Sequence, residues 1–444
     1  MLQTFKNAWK TPELKRKLLF TALIIVLYRI GANLYVPYVN INSVQNLASL
    51  YEGSIFQFVS LLSGDAFSKA TLFALSVSPY ITASIVMQLL TIAIPALERI
   101  SKDGAEGKKK ITKYTRWVTI GLALVTAYGY VKLLETYGML TISKATDGAL
   151  YYFGIAVMVA CFCAGAAIIM WLAELINDHG IGNGISMILF ANIISRAGVM
   201  TQQLISMVTT NGYKMGAWGY VLGVAEVILS LALTVAVIGL IVWFTNSERR
   251  IPIQYAKRVV GRKMYGGQSS NLPLKLNMSG VMPVIFASSI VSIPATIAGF
   301  FPDSGFAKWV TKWFSYTSVF YIALFIVLIF AFAYFYIMIS FNPVEVANNI
   351  RSQGGSVPGI RPGKPTSDYI KKILNRITLL GAIFLVVIAG VPMIVNAITT
   401  AFKVSFSSIA FGGTSLLIIV GVALEVVRDI EAQLAMRNYK GFLD

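Results

Sequence analysis

The sequence predicts an all-α polytopic membrane protein with ten transmembrane helices. Three observations carry this: composition, ten apolar runs of spanning length, and an alternating loop charge. Of 444 residues, 56% are hydrophobic and 13% charged, the latter about half the usual share for soluble domains. Mean hydropathy is +0.71. So few charges cannot coat a soluble fold, which excludes a soluble enzyme and a disordered chain. A helix needs about 20 apolar residues to cross the hydrocarbon core. Runs of that kind lie near Leu18 to Val36, Leu75 to Ile94, Val118 to Leu134, Leu150 to Ile176 and Ile185 to Met207. Five more lie near Val221 to Thr245, Val281 to Phe301, Val319 to Ser340, Ile377 to Val395 and Thr414 to Val427. The fifth is the weakest, because Asn192, Ser195 and Arg196 interrupt it. The first is too long for a signal-peptide core, contains Arg29 and lacks a small-residue cleavage site, so it is expected to stay as a span.

The net charge is +18. In a soluble protein this would suggest nucleic acid; in a membrane protein it first reflects the excess of Lys and Arg in cytoplasmic loops. The N-terminal tail, the loops after spans 2, 6 and 8, and the C-terminal tail hold 28 Lys and Arg. The alternate loops hold six: Lys69, Lys144, Lys214, Lys308, Lys312 and Lys403. This asymmetry predicts both termini in the cytoplasm and an even number of spans. The expected division is a tail over 1–17, a first half over 18–207, a second half over 208–427 and a tail over 428–444. Ten spans divide into five plus five, and an odd number per half makes any repeat an inverted one. Two basic segments, 246–280 and 341–376, exceed plain connectors. Each is either a solvated orienting loop or a docking surface for an acidic partner. The long loop after span 1 contains an apolar stretch, Ser54 to Gly64, too short to span. It reads as a surface helix or as a re-entrant segment enclosed by protein.

Catalytic signatures are missing. Gly359 to Lys364 has three residues between its glycines and Pro after the Lys, unlike a phosphate-binding loop. Gly180-Ile-Gly-Asn-Gly184 joins two spans and reads as a tight turn. One histidine, His179, and two neighbouring cysteines, Cys161 and Cys163, supply no metal spacing. No enzymatic activity, cofactor or metal is expected. Intramembrane charges are sparse (Arg29, Glu226, with Glu174 and Glu425 near span ends), and each is expected to snorkel or to pair structurally.

Several segments, in order, resemble the SecY family of protein-translocase channels. They are Pro79 to Leu90 (PYITASIVMQLL), Gly180 to Ser186 (GIGNGIS), Leu272 to Asn277 (LPLKLN) and Pro283 to Ser289 (PVIFASS). Phe341-Asn-Pro343, Val357 to Gly363 (VPGIRPG) and Phe411 to Leu417 (FGGTSLL) complete the set. The resemblance implies two inverted five-helix halves around an hourglass pore. It implies a channel that passes unfolded secretory polypeptides across a bacterial cytoplasmic membrane and releases membrane helices sideways. The implied partners are SecE-like and SecG-like small subunits, a SecA motor ATPase, a translating ribosome, signal sequences and membrane lipids. The family's apolar pore ring maps onto Val77, Ile81, Ile185, Leu189, Ile285 and Ile418. Val77 and Leu189 depart from the usual isoleucine but remain aliphatic.

The same resemblance reads the loop after span 1, about 53–74, as a re-entrant plug, with Phe56, Phe58, Leu61, Leu62, Ser63, Gly64 and Phe67 its characteristic residues. The lateral opening is expected between spans 2 and 3 on one side and 7 and 8 on the other, with Gln88, Asn277 and Ser288 as polar contacts. Lys257, Arg258, Arg262, Lys263, Arg361 and Lys364 are the expected docking residues. The competing classes are a ten-span secondary transporter with inverted repeats, which needs a midplane polar site the sequence lacks, and a membrane scaffold.

Overall fold

The computed structural model describes residues 2–44, 60, 63–142, 144–199, 201–202, 205–206, 208–209, 217–255, 258–260, 263–265, 269–301, 304–315, 318–402 and 413–440. Each of the ten apolar runs coincides with a helix. Spans 1 to 5 are Pro12–Gly31, Ser78–Ala93, Gly104–Thr136, Lys144–His179 and Gly184–Ser195. Spans 6 to 10 are Ala217–Asn246, Met282–Phe300, Val319–Ser340, Lys364–Phe402 and Gly413–Lys440. Among the described residues, five helices are long and apolar enough to cross a membrane, and a sixth candidate is a bent helix pair.

That pair is Ser78–Ala93 and Pro95–Lys102, bent by 102°. Ile94 sits in the extended region before Pro95, because the proline ring disfavours helical geometry in the preceding residue. Span 3 has 33 residues, about 50 Å at 1.5 Å per residue, so its basic start projects well beyond the bilayer. Span 5 is interrupted at Arg196, whose amide donates to Ile193 O, and helical turns resume at 197–199.

One continuous apolar core draws on spans 1, 2, 4, 5, 6, 7, 8, 9 and 10 and so joins the two halves. A second core lies within the first half, between spans 3 and 4 and residues 36–75. The last helix and the N-terminal helix Leu2–Lys10 meet on one face. Ala8, Leu14, Ile181 and Ile430 pack together, Thr4 Oγ1 donates to Glu431 Oε1 (3.2 Å) and Lys17 Nζ to Gln433 Oε1 (3.1 Å). Both termini therefore share a side.

The turn at 180–184 lies on that face too. Ile181 N donates to Thr21 Oγ1 (3.1 Å) and Gly182 N to Asp429 Oδ2 (3.0 Å). Asn177 Oδ1 accepts from Gly184 N (2.7 Å), and the Asn183 side chain caps span 5 through Ile185 N (3.0 Å).

The two basic segments form one unit with a small sheet. Strand β1 (Glu248–Tyr255) pairs antiparallel with β4 (Ser269–Lys275) from Glu248↔Lys275 to Gln254↔Ser269. Between them, β2 (Arg258–Val260) pairs with β3 (Lys263–Tyr265). Strand β5 (Gly355–Ser356), from the other segment, adds to the free edge of β1. Ile251, Ile253 and Leu274 pack on Ile337, Ile350, Val357, Ile370 and Leu374, which fixes the sheet to spans 8 and 9.

Spans 4 and 5 approach closely at Gly184, where a Cβ would fall 1.9 Å from Ala173 O. Overpacking of this kind costs about 1–3 kcal/mol. Gly184→Ala is therefore expected to lower the thermal stability of the purified protein. Gly121→Ala, with no atom within 4 Å of its Cβ position, serves as the neutral control. Equal melting of the two variants would contradict the close approach.

Candidate functional site: an apolar seam closed by a re-entrant segment

Val77, Ile81, Leu189, Ile285 and Ile418 are each at most 3% exposed and belong to the core that joins the halves. Ile185 is half-buried and packs against the same core. The six come from the start of span 2 and from spans 5, 7 and 10. Pro79 and Pro283 stand in the first turns of spans 2 and 7, where a missing N–H costs nothing.

Residues 63–77 run beside this seam without forming a long helix, yet are largely buried. Ser63, Ala70 and Thr71 are fully enclosed. Gly64, Asp65, Ala70 and Ser76 all have positive φ. Such backbone survives at membrane depth only with its polar groups satisfied by protein. Ser63 Oγ donates to Ser60 O (3.0 Å) and accepts from Phe67 N (3.0 Å). Ser60 Oγ donates to Ser68 Oγ (3.2 Å), Thr71 Oγ1 to Ala66 O (3.3 Å), and the Tyr130 hydroxyl of span 3 to Phe67 O. Leu72 N donates to Leu34 O (2.8 Å). Of the stretch Ser54 to Gly64, read as a surface helix or a re-entrant segment, only residues 60, 63 and 64 are described, and Ser60, Ser63 and Gly64 are buried. Phe56, Phe58, Leu61 and Leu62 lie outside the described residues.

A polar cluster grips the segment. Arg29 Nη1 of span 1 lies 3.4 Å from Asn192 Oδ1 of span 5. Gly64 sits against both, and a Cβ there would meet Arg29 Nη1 at 2.9 Å and Asn192 Oδ1 at 3.0 Å. Next to it, Asp65 Oδ1 lies 3.3 Å from Arg196 Nε. This is an ion pair without hydrogen-bond alignment, since Arg196 Nε and Nη1 are buried and make no hydrogen bond. Phe73 stacks on Tyr28 of span 1, centroids 5.3 Å apart. Sequence reasoning named Asn192 and Arg196 only as interruptions, expected Arg29 to snorkel or pair without naming a partner, and did not join Asp65 to Arg196. The available signals were an acid directly after Gly64 and a base interrupting the weakest span. Glu174, expected to snorkel or to pair structurally, pairs with Arg116 at 2.7 Å.

Span 7 packs against spans 2 and 3, along the line where a lateral opening was expected. Gln88 Nε2 donates to Ser84 Oγ (3.4 Å) and Ser288 Oγ to Ile285 O (2.8 Å), each within its own helix. Asn277 is buried and its Oδ1 accepts no hydrogen bond within the chain. Hydrogen bonds thus do not join these three.

Arg361 is exposed on a tip bounded by Gly359 and Gly363, both with positive φ. The tip is closed by Thr366 Oγ1 donating to Arg361 O (2.9 Å). Lys364, also exposed, opens span 9. Arg258 and Lys263 lie on β2 and β3, and Lys257 and Arg262 lie outside the described residues. Partial burial at the end of β4, and secondarily Arg428, holds Lys275 below the usual lysine range. Arg428 itself donates to Thr245 O (2.7 Å) and Asn246 Oδ1 (2.9 Å), satisfying a carbonyl at the end of span 6. Among the described residues no group of His, Cys, Asp and Glu is arranged to hold a metal.

Two helical halves meeting at an aliphatic seam, with a polar-anchored re-entrant segment beside it, define a polytopic membrane protein of the channel class. The SecY family model matches residues 71–427. Protein translocase subunit SecY of Streptomyces coelicolor is 45% identical over 451 residues, and that of Mycobacterium tuberculosis 43% over 458, each covering 100% of both chains. A solved structure of a protein-conducting channel aligns with TM-score 0.64 at 19% identity, over 94% of this chain and 92% of that one. Sec61 in a canine ribosome–channel complex from the endoplasmic reticulum aligns with TM-score 0.60 at 17% identity, over 94% and 92%. The chain belongs to the SecY family, and its fold is the family's ten-helix, two-halved channel fold.

The position of the re-entrant segment is open to a direct check. With Cys161 and Cys163 replaced by serine, Asp65→Cys and Arg196→Cys are expected to be joined by a short bis-thiol cross-linker in idle membranes. Failure to cross-link at both sites while each cysteine remains reactive would contradict the contact.

Proposed function

We propose that this chain is the protein-conducting channel subunit of a Sec translocase. It passes unfolded secretory polypeptides across the membrane and releases membrane helices sideways into the bilayer. The observation that carries this is an aliphatic seam built from both halves with a buried, non-helical segment packed beside it, in a chain of this family. Val77, Ile81, Ile185, Leu189, Ile285 and Ile418 act as the pore ring. Aliphatic side chains offer an ion no replacement for its hydration shell, so a narrow apolar constriction sheds water and blocks ions. They also bind no passing side chain strongly. The segment around Ser63, Gly64 and Phe67 acts as the plug, and Arg29, Asn192 and the Asp65–Arg196 pair hold it in the idle channel. Span 7 against spans 2 and 3 forms the lateral gate. The secondary-transporter alternative lacks support, because the full-length relatives are translocase subunits.

The termini and the sheet-bearing basic unit are assigned to the cytoplasm of a bacterial cell, on loop charge. That unit, with Arg258, Lys263, Arg361 and Lys364, docks a SecA-like motor or a ribosome. SecE-like and SecG-like subunits complete the complex. Arg361 is suited to this task because a guanidinium presents a planar fork to carboxylates or phosphates.

Ile418→Asn separates the ring from ordinary core. In dry core a stranded amide costs about 1–3 kcal/mol, and the variant would be degraded. At a wet-edged ring the amide reaches water and the barrier falls. Normal abundance by immunoblot with export of proteins carrying defective signal sequences is expected, and a degraded variant with no gain in export would refute the ring position. Arg361→Glu is expected to abolish motor-driven export into inverted vesicles while the complex still purifies intact. A solvated loop arginine would change stability by under about 0.5 kcal/mol and leave export normal.

A further inference from the structure

The short helix Gly305–Trp313 joins spans 7 and 8 on the face opposite the termini. It begins four residues after Phe301, just past span 7, and ends six residues before Val319 opens span 8. So tightly tied between two spans, it has to lie at the membrane surface. Ser304 caps it by accepting from Ala307 N (3.1 Å). Its side chains fall into three stripes, as about 100° of rotation per residue requires. Ala307 and Val310, followed by Phe314, are buried against the core that joins the halves. Phe306, Trp309 and Trp313 form a second stripe, 43%, 48% and 44% exposed. Phe306 stacks on Trp309 with centroids 6.3 Å apart, and Trp313 meets Phe320 of span 8 edge-on at 6.0 Å. Lys308 and Lys312 form the third stripe, both exposed.

This charge runs against the orientation of the chain. Only six of 37 Lys and Arg lie in the loops on this face, and two of them are on this nine-residue helix, which has no acid. Orientation disfavours basic residues here, so another interaction has to account for them. One apolar face on the protein, one aromatic stripe toward the hydrocarbon boundary and one lysine stripe toward the headgroups is the arrangement of a helix lying in a membrane interface. Tryptophan suits that depth because its ring is apolar and its N–H polar.

We propose that Gly305–Trp313 is an anchor for anionic lipid headgroups of the outer leaflet, with Trp309 and Trp313 seated in the interface and Lys312 facing the phosphates. The helix then holds the outer end of span 7 at a fixed depth. This inference rests on the membrane topology and not on the translocation reading, so the two fail separately.

The test uses the full chain with its membrane subunits in vesicles, Cys161 and Cys163 replaced by serine, and an environment-sensitive fluorophore on Trp313→Cys or, in a second preparation, on Phe306→Cys. Vesicles contain phosphatidylcholine alone or with phosphatidylglycerol. Brominated acyl chains are expected to quench most of the fluorescence and iodide little. Phosphatidylglycerol should increase the lipid quenching in a salt-sensitive way, and Lys312→Glu should remove that increase. Quenching by iodide but not by bromolipid would place the helix in water and overturn the anchor. Shielding from both quenchers would mean that a protein covers it, with the same consequence. Bromolipid quenching indifferent to phosphatidylglycerol and to Lys312→Glu would overturn the headgroup assignment.

Discussion

Backbone at membrane depth has no water to turn to, so every irregular stretch there must find its hydrogen bonds in protein. Residues 63–77 meet this demand with serine and threonine hydroxyls turned back onto their own chain and one tyrosine hydroxyl from span 3. The anchoring side chains Tyr28, Arg29, Tyr130, Asn192 and Arg196 all belong to the first five-helix half. The segment is thus a part of that half which reaches the seam, and a separation of the halves need not break its anchorage. If the segment acts as the proposed plug, its departure would break the grip of Arg29 and Asn192 on Gly64, the Tyr130 and Tyr28 contacts and the Asp65–Arg196 contact. A pair at 3.3 Å without aligned hydrogen bonds is weaker than a bidentate one.

The opposite face is organised by a different economy. There the protein can be polar, and a sheet appears in an otherwise helical chain. Strand β5 from one basic segment completes the edge of β1 from the other, and buried Ile251 and Ile253 fix both to the ends of spans 8 and 9. Arg249, Arg250 and Lys275 on this sheet and Arg351 and Lys371 of the other segment are therefore carried on one framework.

The ten spans were legible because a bilayer imposes length and apolarity on sequence directly, residue by residue. The tight turn at Gly180 to Gly184 was legible from its glycines between two spans, though not its cap, Asn183. The polar cluster was not. Asp65 and Arg196 are neighbours only through the packing of span 5 on the re-entrant segment, and a single charge has no period to betray it. The sheet was missed for a related reason: Glu248–Tyr255 carries a proline, Pro252, and three charges, and its alternation of buried Ile251 and Ile253 is only three residues long. Nor did the spanning-length apolar run after Gly184 reveal the break at Arg196, where the side chain turns toward Asp65 before helical turns resume at 197–199.

The turn fastened to Thr21 and Asp429 has a meaning in time as well as in space. A chain emerges from its N-terminus at about 5–20 residues per second. Gly182 and Asp429 are 247 residues apart, so the amide that the carboxylate will satisfy waits about 10–50 s for its partner to be made. During that interval the first half can close its side of the turn through Thr21, Asn177 and Asn183. The last helix then arrives as a latch on an already assembled half, and the order of synthesis becomes the order of assembly.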